Sequence, residues 1–157
     1  MKKLLITAIL LAGVSFTNAQ ETKFGVKAGL DLASAKVKIG GTTITSSETG
    51  FFLGGFANFG VSEKFSVQPE LLYVAIKDLN FLSLPILAKY SVAKEFGILV
   101  GPSVNYFLDA QTDKIKVNVD LGAAYNVTEE IDVNAKYSFG LGDVAISGIF
   151  IGANYSF

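Results

Sequence analysis

The chain contains no cysteine, histidine, tryptophan or arginine. Without cysteine there is no disulfide framework, metal thiolate or cysteine nucleophile. Without histidine, the Ser-His and Asp-His catalytic mechanisms are excluded. After residue 19, eleven lysines stand against fourteen acidic residues, a net charge of −3. This balance is not that of a nucleic-acid-binding protein, and no residue pattern predicts a cofactor or a bound metal.

Long apolar runs are also absent, except at the beginning of the chain. Met1-Lys2-Lys3 is a short cationic segment, and the apolar run from Leu4 to Val14 follows it. That run is shorter than the ~20 residues that a membrane-spanning helix needs. Thr17 and Ala19 suit the −3 and −1 positions of a cleavage site before Gln20. The segment therefore predicts a secretory signal peptide, residues 1–19, and one mature domain, residues 20–157.

The rest of the chain has the composition and the periodicity of β structure. The whole chain has sixteen glycines and nineteen phenylalanines and tyrosines, with only three prolines, which favours strands over helices. In the last segment every second residue is apolar, which predicts a strand with one apolar face. The apolar residues there are Phe157, Tyr155, Ala153, Ile151 and Ile149. High apolar content distributed in this alternating way is typical of a membrane β-barrel.

Short polar segments predict turns at 61–64, 92–95 and 127–130, and longer loops at 34–49, 76–79, 108–115 and 142–145. The strands between them are near 11 residues long, as tilted membrane strands require. We expect an all-β, eight-stranded antiparallel up-and-down transmembrane β-barrel with both termini and the short turns on one rim. The predicted strands are 23–33, 50–60, 64–75, 80–91, 96–107, 116–126, 131–141 and the C-terminal strand.

The outward residues nearest that rim are mostly aromatic, as expected where barrel strands cross a membrane interface. The predicted interface girdle is Phe24, Phe59, Phe65, Tyr90, Phe96, Tyr125 and Tyr155.

The opposite face of the strands is polar, and an eight-stranded barrel has a lumen just wide enough for side chains to fill. We expect a packed polar plug whose charges balance, because buried charges persist only when they are paired. The predicted lumen charge network is Lys27, Asp31, Glu70, Lys89, Asp120 and Lys136. A structural salt-bridge core is the favoured interpretation, and a gated path for a small solute is the alternative. The prolines at 69, 85 and 102 fall inside predicted strands, so we expect bulges there.

The longest loop carries a hairpin pattern. Gly40-Gly41 suits a two-residue turn, and Val37, Ile39 and Ile44 are placed to share one side of a projecting ribbon. One interpretation is a β-edge that recruits an extracellular partner at residues 34–49 by strand addition. The other, which we favour, is a solvent-exposed polar loop without a partner.

Two resemblances to known proteins support the prediction of a membrane barrel. The aromatic C-terminal strand resembles that of bacterial outer-membrane barrels, which implies that Phe157 is read as a signal by the barrel-assembly machinery. Five segments also resemble, in order, the PorT-like outer-membrane β-barrel family of the Bacteroidota: 68–73, 84–90, 101–102, 120–125 and 136–143. That resemblance implies an outer-membrane barrel, usually without an assigned activity, that tolerates proline in its strands. Enzymes among small outer-membrane barrels resemble one another in using an active-site histidine, so we expect no enzymatic activity.

Three functions follow as hypotheses. The first is a monomeric outer-membrane protein in contact with membrane lipid, with a structural or adhesive role. The second is a narrow channel or a transporter of small hydrophobic ligands. The third is a secreted, soluble, lipocalin-like barrel, which would carry its apolar face inside.

Overall fold

The computed structural model describes residues 21–142 and 144–157, so the predicted signal peptide lies outside the described residues. No helix in these residues is long and apolar enough to cross a membrane. The eight strands are β1 (Thr22–Ile39), β2 (Thr42–Gly60), β3 (Phe65–Ile76), β4 (Leu79–Ser91), β5 (Phe96–Phe107), β6 (Ile115–Asn126), β7 (Ile131–Gly140) and β8 (Val144–Ser156).

The strands form a closed barrel in chain order, with every neighbour antiparallel and β1 paired with β8. The predicted eight-stranded up-and-down barrel is therefore confirmed. If paired residues are followed from strand to strand once round the barrel, the path returns to β1 ten residues away from the residue at which it began. Such a stagger accompanies strand tilts of about 35–45°, and it leaves a lumen that side chains can fill.

Three short turns lie on the same rim as the chain ends, which we call the terminal rim. In the first, the N–H groups of Val61 and Ser62 both donate to the carbonyl oxygen of Phe65, at 2.9 and 3.0 Å. The turns that precede Phe96 and Ile131 repeat this arrangement. The three turn positions predicted from the sequence are thus confirmed.

The opposite, far rim is uneven, because β1 and β2 continue well beyond their predicted ends. Residues 34–49 are not a loop: they are a two-stranded ribbon, joined by Gly40 and Gly41 at φ +55° and +82°. We call residues 34–49 the hairpin extension. The alternating Ser, Thr and Lys residues, which suggested a loop, pair across the ribbon as strand residues. β8 follows β1 as far as Val37, whereas β3 pairs with β2 only from Phe51 onward.

The predicted bulges at the three prolines do not occur. Each proline pairs in register with the following strand, as in Pro69 with Ile86, and pairing is interrupted only on the side of the preceding strand. The register is the same on both sides of each interruption. A proline lacks one N–H donor, and here the ladder accommodates that loss without an inserted residue.

The apolar face of every strand points outward. Leu30, Leu53 and Leu71 are 54–60% exposed, whereas the strand lysines and acids below the hairpin extension point into the lumen. From the terminal rim up to Leu32 on β1 and Phe51 on β2, no outward position carries a charge. This is the reverse of a soluble ligand-binding barrel, so the lipocalin-like hypothesis is wrong. It is the arrangement of a barrel surrounded by lipid.

Close packing at the closure of the sheet depends on Gly29. The register places Gly29 of β1 between Phe52 of β2 and Gly152 of β8. A Cβ atom at position 29 would meet the carbonyl oxygen of Ile151 and come within 2.8 Å of the Phe52 ring. A Cβ at outward-facing Gly55 would approach nothing closer than 3.6 Å.

Gly29→Ala is therefore expected to lower the free energy of unfolding by about 1–3 kcal/mol, because the backbone of β8 at Ile151 and Gly152 has to shift as well as the ring of Phe52. Gly55→Ala is the matched control and should change it by less than about 0.5 kcal/mol. Urea unfolding of the refolded protein in detergent micelles, followed by circular dichroism, measures both. Equal stability of the two variants would contradict this account of the closure.

Candidate functional site

A four-residue ion network crosses the middle of the lumen. Nζ of Lys27 lies 2.9 Å from Oε1 of Glu70, and neither side chain is exposed. Nζ of Lys136 lies 2.8 Å from Oδ2 of Asp120 and 3.6 Å from Oε2 of Glu70. Two lysines and two carboxylates make this network neutral, as burial requires. It joins β1, β3, β6 and β7 across the barrel.

Neutral side chains add hydrogen bonds to one oxygen of each central carboxylate. Gln68 donates to Oε1 of Glu70 at 2.8 Å. The hydroxyl groups of Ser103 and Ser138 donate to Oδ1 of Asp120 at 2.9 and 2.6 Å. The two serines were missed in the sequence, although their inward position on the strands is the signal that identifies them.

Lys89 lies apart from this network, near the terminal rim. Its Nζ is 3.8 Å from Oδ2 of Asp132, an acid that the sequence analysis did not single out. The amides of Asn134 and Asn154 donate to the Asp132 carboxylate at 3.0 and 3.3 Å. Lys89 and Asp132 also line a polar cavity of about 280 Å³ that opens at the terminal rim.

Asp31 is buried in the lumen but belongs to neither cluster, which corrects the predicted network. Asp31 is 1% exposed, and its Oδ1 has no hydrogen-bond partner. Among the described residues, Asp31 forms no ion pair. The two central carboxylates already balance the two central lysines. Asp31 borders a small recess that it shares with Asn118, Ser138 and Phe150.

An apolar cluster occupies part of the far half of the lumen, beside buried polar residues, so the expectation of a wholly polar plug is wrong. Phe52 and Phe150 lie with ring centroids 5.4 Å apart, and Phe81 and Phe107 lie 4.7 Å apart. The buried cluster consists of Ala33, Phe52, Leu72, Val74, Ile76, Phe81, Phe107 and Phe150. In the sequence, segments 51–53 and 71–76 are apolar at both alternating positions, which is the pattern of strands buried on both faces.

The predicted girdle residues all point outward near the terminal rim. Six of the seven are between 36% and 54% exposed, and Phe59 is less exposed. The register places Phe65 opposite Tyr90 and Phe96 opposite Tyr125. Beyond the end of β8, the N–H of Phe157 donates to the carbonyl oxygen of Phe24 at 2.9 Å, so the last residue is held against β1.

The hairpin extension has two distinct faces. Val37 pairs directly with Ile44 and with Val144 of β8, so these side chains lie on the lumen side together with Ile39. Ile39, Ile44 and Val144 are 62%, 56% and 43% exposed. The outward side carries hydroxyl groups and two lysines. In addition, β2 has no ladder partner on its β3 side from Thr42 to Thr49.

In the part of the chain that the structure describes, no group of three or more His, Cys, Asp or Glu side chains is placed to hold a metal ion. The chemistry available in the lumen is thus that of lysines, carboxylates, amides and hydroxyls. These groups bond chiefly to one another.

The closed barrel with an uncharged exterior and an internal ion network defines a transmembrane β-barrel of the outer-membrane type. The chain belongs to the family described as the outer membrane protein beta-barrel domain, which matches residues 5–157. No curated protein matches the chain.

Several solved barrels have a similar fold. Ail, the attachment invasion locus protein of Yersinia pestis, is 16% identical at a TM-score of 0.59, with 88% of this chain and 100% of that one covered. Neisserial surface protein A is 17% identical at 0.56, with the same coverage. A de novo designed transmembrane β-barrel is 18% identical at 0.57, with 88% of this chain and 99% of that chain covered. At these identities the likeness shows the fold.

Removal of Lys27 is expected to destabilise the barrel strongly, because Glu70 then keeps a hydrogen bond from Gln68 but has only Lys136, at 3.6 Å, to balance its charge. Lys27→Met should lower the free energy of unfolding by about 3–5 kcal/mol. Adding Glu70→Gln restores neutrality and should recover much of that loss. Lys23→Met, which removes an exposed pair with Glu21, is the control and should cost less than about 1 kcal/mol. Urea titration in micelles tests the series, and full additivity of Lys27→Met and Glu70→Gln would refute the coupling.

Removing the charge of Asp31 and removing the charge of Asp120 should have opposite effects on the stability of the barrel. Asp31→Asn is expected to leave stability unchanged or to raise it by about 1 kcal/mol, because it removes an unpaired buried carboxylate. Asp120→Asn breaks the pair with Lys136 and should lower stability by about 3–5 kcal/mol. The same titration compares them, and a larger loss for Asp31→Asn would show that this carboxylate has a partner.

Proposed function

We propose that this protein is a small outer-membrane barrel with a surface-interaction role, structural or adhesive, and that the hairpin extension is its contact surface. The observation that carries the proposal is the exposed apolar group Ile39, Ile44 and Val144 on a ribbon that projects beyond the far rim. Apolar side chains that are held at a protruding tip mark interaction sites more often than chance. In this orientation the termini lie in the periplasm and the extension lies outside the cell.

The open edge of β2 supports the same role and indicates the kind of partner. A strand edge offers unpaired N–H and C=O groups, which an extended polypeptide can satisfy by strand addition. The free edge extends from Thr42 to Thr49 and includes the exposed Ile44. We therefore propose an extended segment of an extracellular polypeptide as the partner, bound by backbone hydrogen bonds and by apolar contact.

A channel function is less well supported. The apolar cluster fills part of the far half of the lumen, and the central lysines and carboxylates bond to one another. Both features support a filled barrel that does not conduct. Among the residues that the structure describes, no arrangement of side chains supports catalysis, so we also propose that the protein is not an enzyme.

The finer assignment to the PorT-like family of the Bacteroidota remains our proposal. Its support is the five segments that resemble that family and the regular accommodation of proline at 69, 85 and 102. A cleavable signal peptide at residues 1–19, recognition of Phe157 by the assembly machinery and a monomeric state belong to the same proposal.

Ile44→Asn is expected to reduce binding, since burial of an isoleucine contributes about 1.5–3 kcal/mol, or roughly tenfold or more in affinity. The matched control is Thr43→Asn, which places the same side chain one residue away on the opposite face. The measurement is adhesion of cells that display the full-length protein to surfaces coated with casein, a polypeptide whose segments are free to add to an edge. Equal adhesion of the two variants, or no adhesion of cells with the unaltered protein, would refute the proposed contact.

A further inference from the structure

The outward face of the hairpin extension combines hydroxyl groups with positive charge. The register aligns Ser147, Ser34 and Ser47 in one row across β8, β1 and β2. The next outward positions towards the tip are Lys36 opposite Thr45 and Lys38 opposite Thr43. The one acid of the extension, Glu48, pairs with Ala33 and so lies on the other face. This outward face is therefore uniformly basic and rich in donors.

This basic face continues the lipid-facing surface without a break. Immediately before the serine row, Leu32 and Ile149 pair as the last apolar residues of β1 and β8 on the outward side. Outward positions follow one another about 6.7 Å apart along a strand, and strand tilt reduces the difference in height to about 5 Å. The serine row, about 5 Å above Leu32, thus lies within the headgroup layer, which is about 5–8 Å deep on each side. Lys36, about 10 Å above Leu32, lies at the outer edge of that layer, and the long flexible stem of Lys38 allows its ammonium group to reach back to it.

We infer that the outward face of the extension binds the phosphate groups of outer-leaflet lipid headgroups. Lysine ammonium groups are good phosphate ligands, and serine and threonine hydroxyls donate further hydrogen bonds. Among residues 21–142 and 144–157, neither Lys36 nor Lys38 forms an ion pair that would compete. The inference rests on the proposed orientation of the barrel. It assigns the two faces of the extension to different partners, lipid outside and polypeptide inside.

Lipid is favoured over an acidic protein as the ligand because the basic face lies directly beside the lipid-facing surface. The acyl chains against Leu32 and Ile149 bring their own headgroups to the serine and lysine rows. An acidic protein at the same place would have to displace headgroups that are already there. The headgroups that suit this face are those of phosphorylated glycolipids, which offer both phosphates and sugar hydroxyls.

The first test measures how fast an amine-reactive ester labels each lysine of the full-length protein in nanodiscs. The discs contain phosphatidylcholine alone, with diphosphorylated lipid A, or with the same glycolipid after removal of its phosphates. Labelling of Lys36 and Lys38 should slow at least threefold with the phosphorylated lipid only. Lys77 and Lys114, exposed on other far-rim turns, are the internal references. An equal slowing at the reference lysines, or with the dephosphorylated lipid, would overturn the inference.

The second test compares the double variant Lys36→Gln/Lys38→Gln with Lys77→Gln/Lys114→Gln, which removes the same charge elsewhere on the rim. Each lysine near an anionic surface contributes about fivefold to binding, so the first variant should retain at least fivefold less lipid A after purification in detergent. Equal retention would overturn the inference. Protection of Lys36 and Lys38 by inorganic pyrophosphate in phosphatidylcholine discs would instead indicate a site for free anions and reject lipid as the ligand. Ile44→Asn should leave lysine protection unchanged, so failure of the adhesion assay is distinguishable from failure here.

Discussion

The pairing of β1 with β8 is the constraint on which the rest of the structure depends. Within a membrane no water is available to satisfy backbone N–H and C=O groups, so a sheet has to close on itself. Closure with eight strands and a ten-residue stagger determines how wide the lumen is. That width leaves room for side chains alone, and Gly29 and Gly152 provide the space that the Phe52 ring needs at the seam.

The narrow lumen in turn determines what can occupy it. Charges that cannot reach water have to neutralise one another, and Lys27, Glu70, Lys136 and Asp120 do so through contacts that join strands distant in the sequence. Towards the far rim, aromatic and aliphatic side chains pack together in the lumen beside buried polar residues such as Asn105 and Asn118. The ion network of the middle of the lumen is thus continued by apolar packing and neutral polar groups towards the far rim.

Much of this architecture was predictable from the sequence, because the alternation of apolar and polar residues follows directly from strand geometry. The turns at 61–64, 92–95 and 127–130 were found since their charges interrupt that alternation, and β5 has the predicted bounds. The ends of β1 and β2 were not predictable in this way, since above the apolar band both faces of a strand are polar or mixed. The inward aromatic residues were missed because, where neighbouring residues in a strand are all apolar, the sequence pattern does not show which of them face the lumen and which face the lipid. The pairing of Lys89 with Asp132 and the isolation of Asp31 depend on side-chain reach across the lumen, which strand periodicity does not contain.

The unequal height of the far rim has a consequence for how the protein meets its surroundings. Only β1, β2 and the first residues of β8 rise above the other strands, so the molecule has one tall side. A barrel without large loops is nearly cylindrical within the bilayer and is free to spin about the membrane normal. Rotation carries that single ribbon through every direction in the plane of the membrane. The hairpin extension can therefore face any direction in the plane of the membrane, whereas a barrel that could not rotate would need loops on all sides to do so.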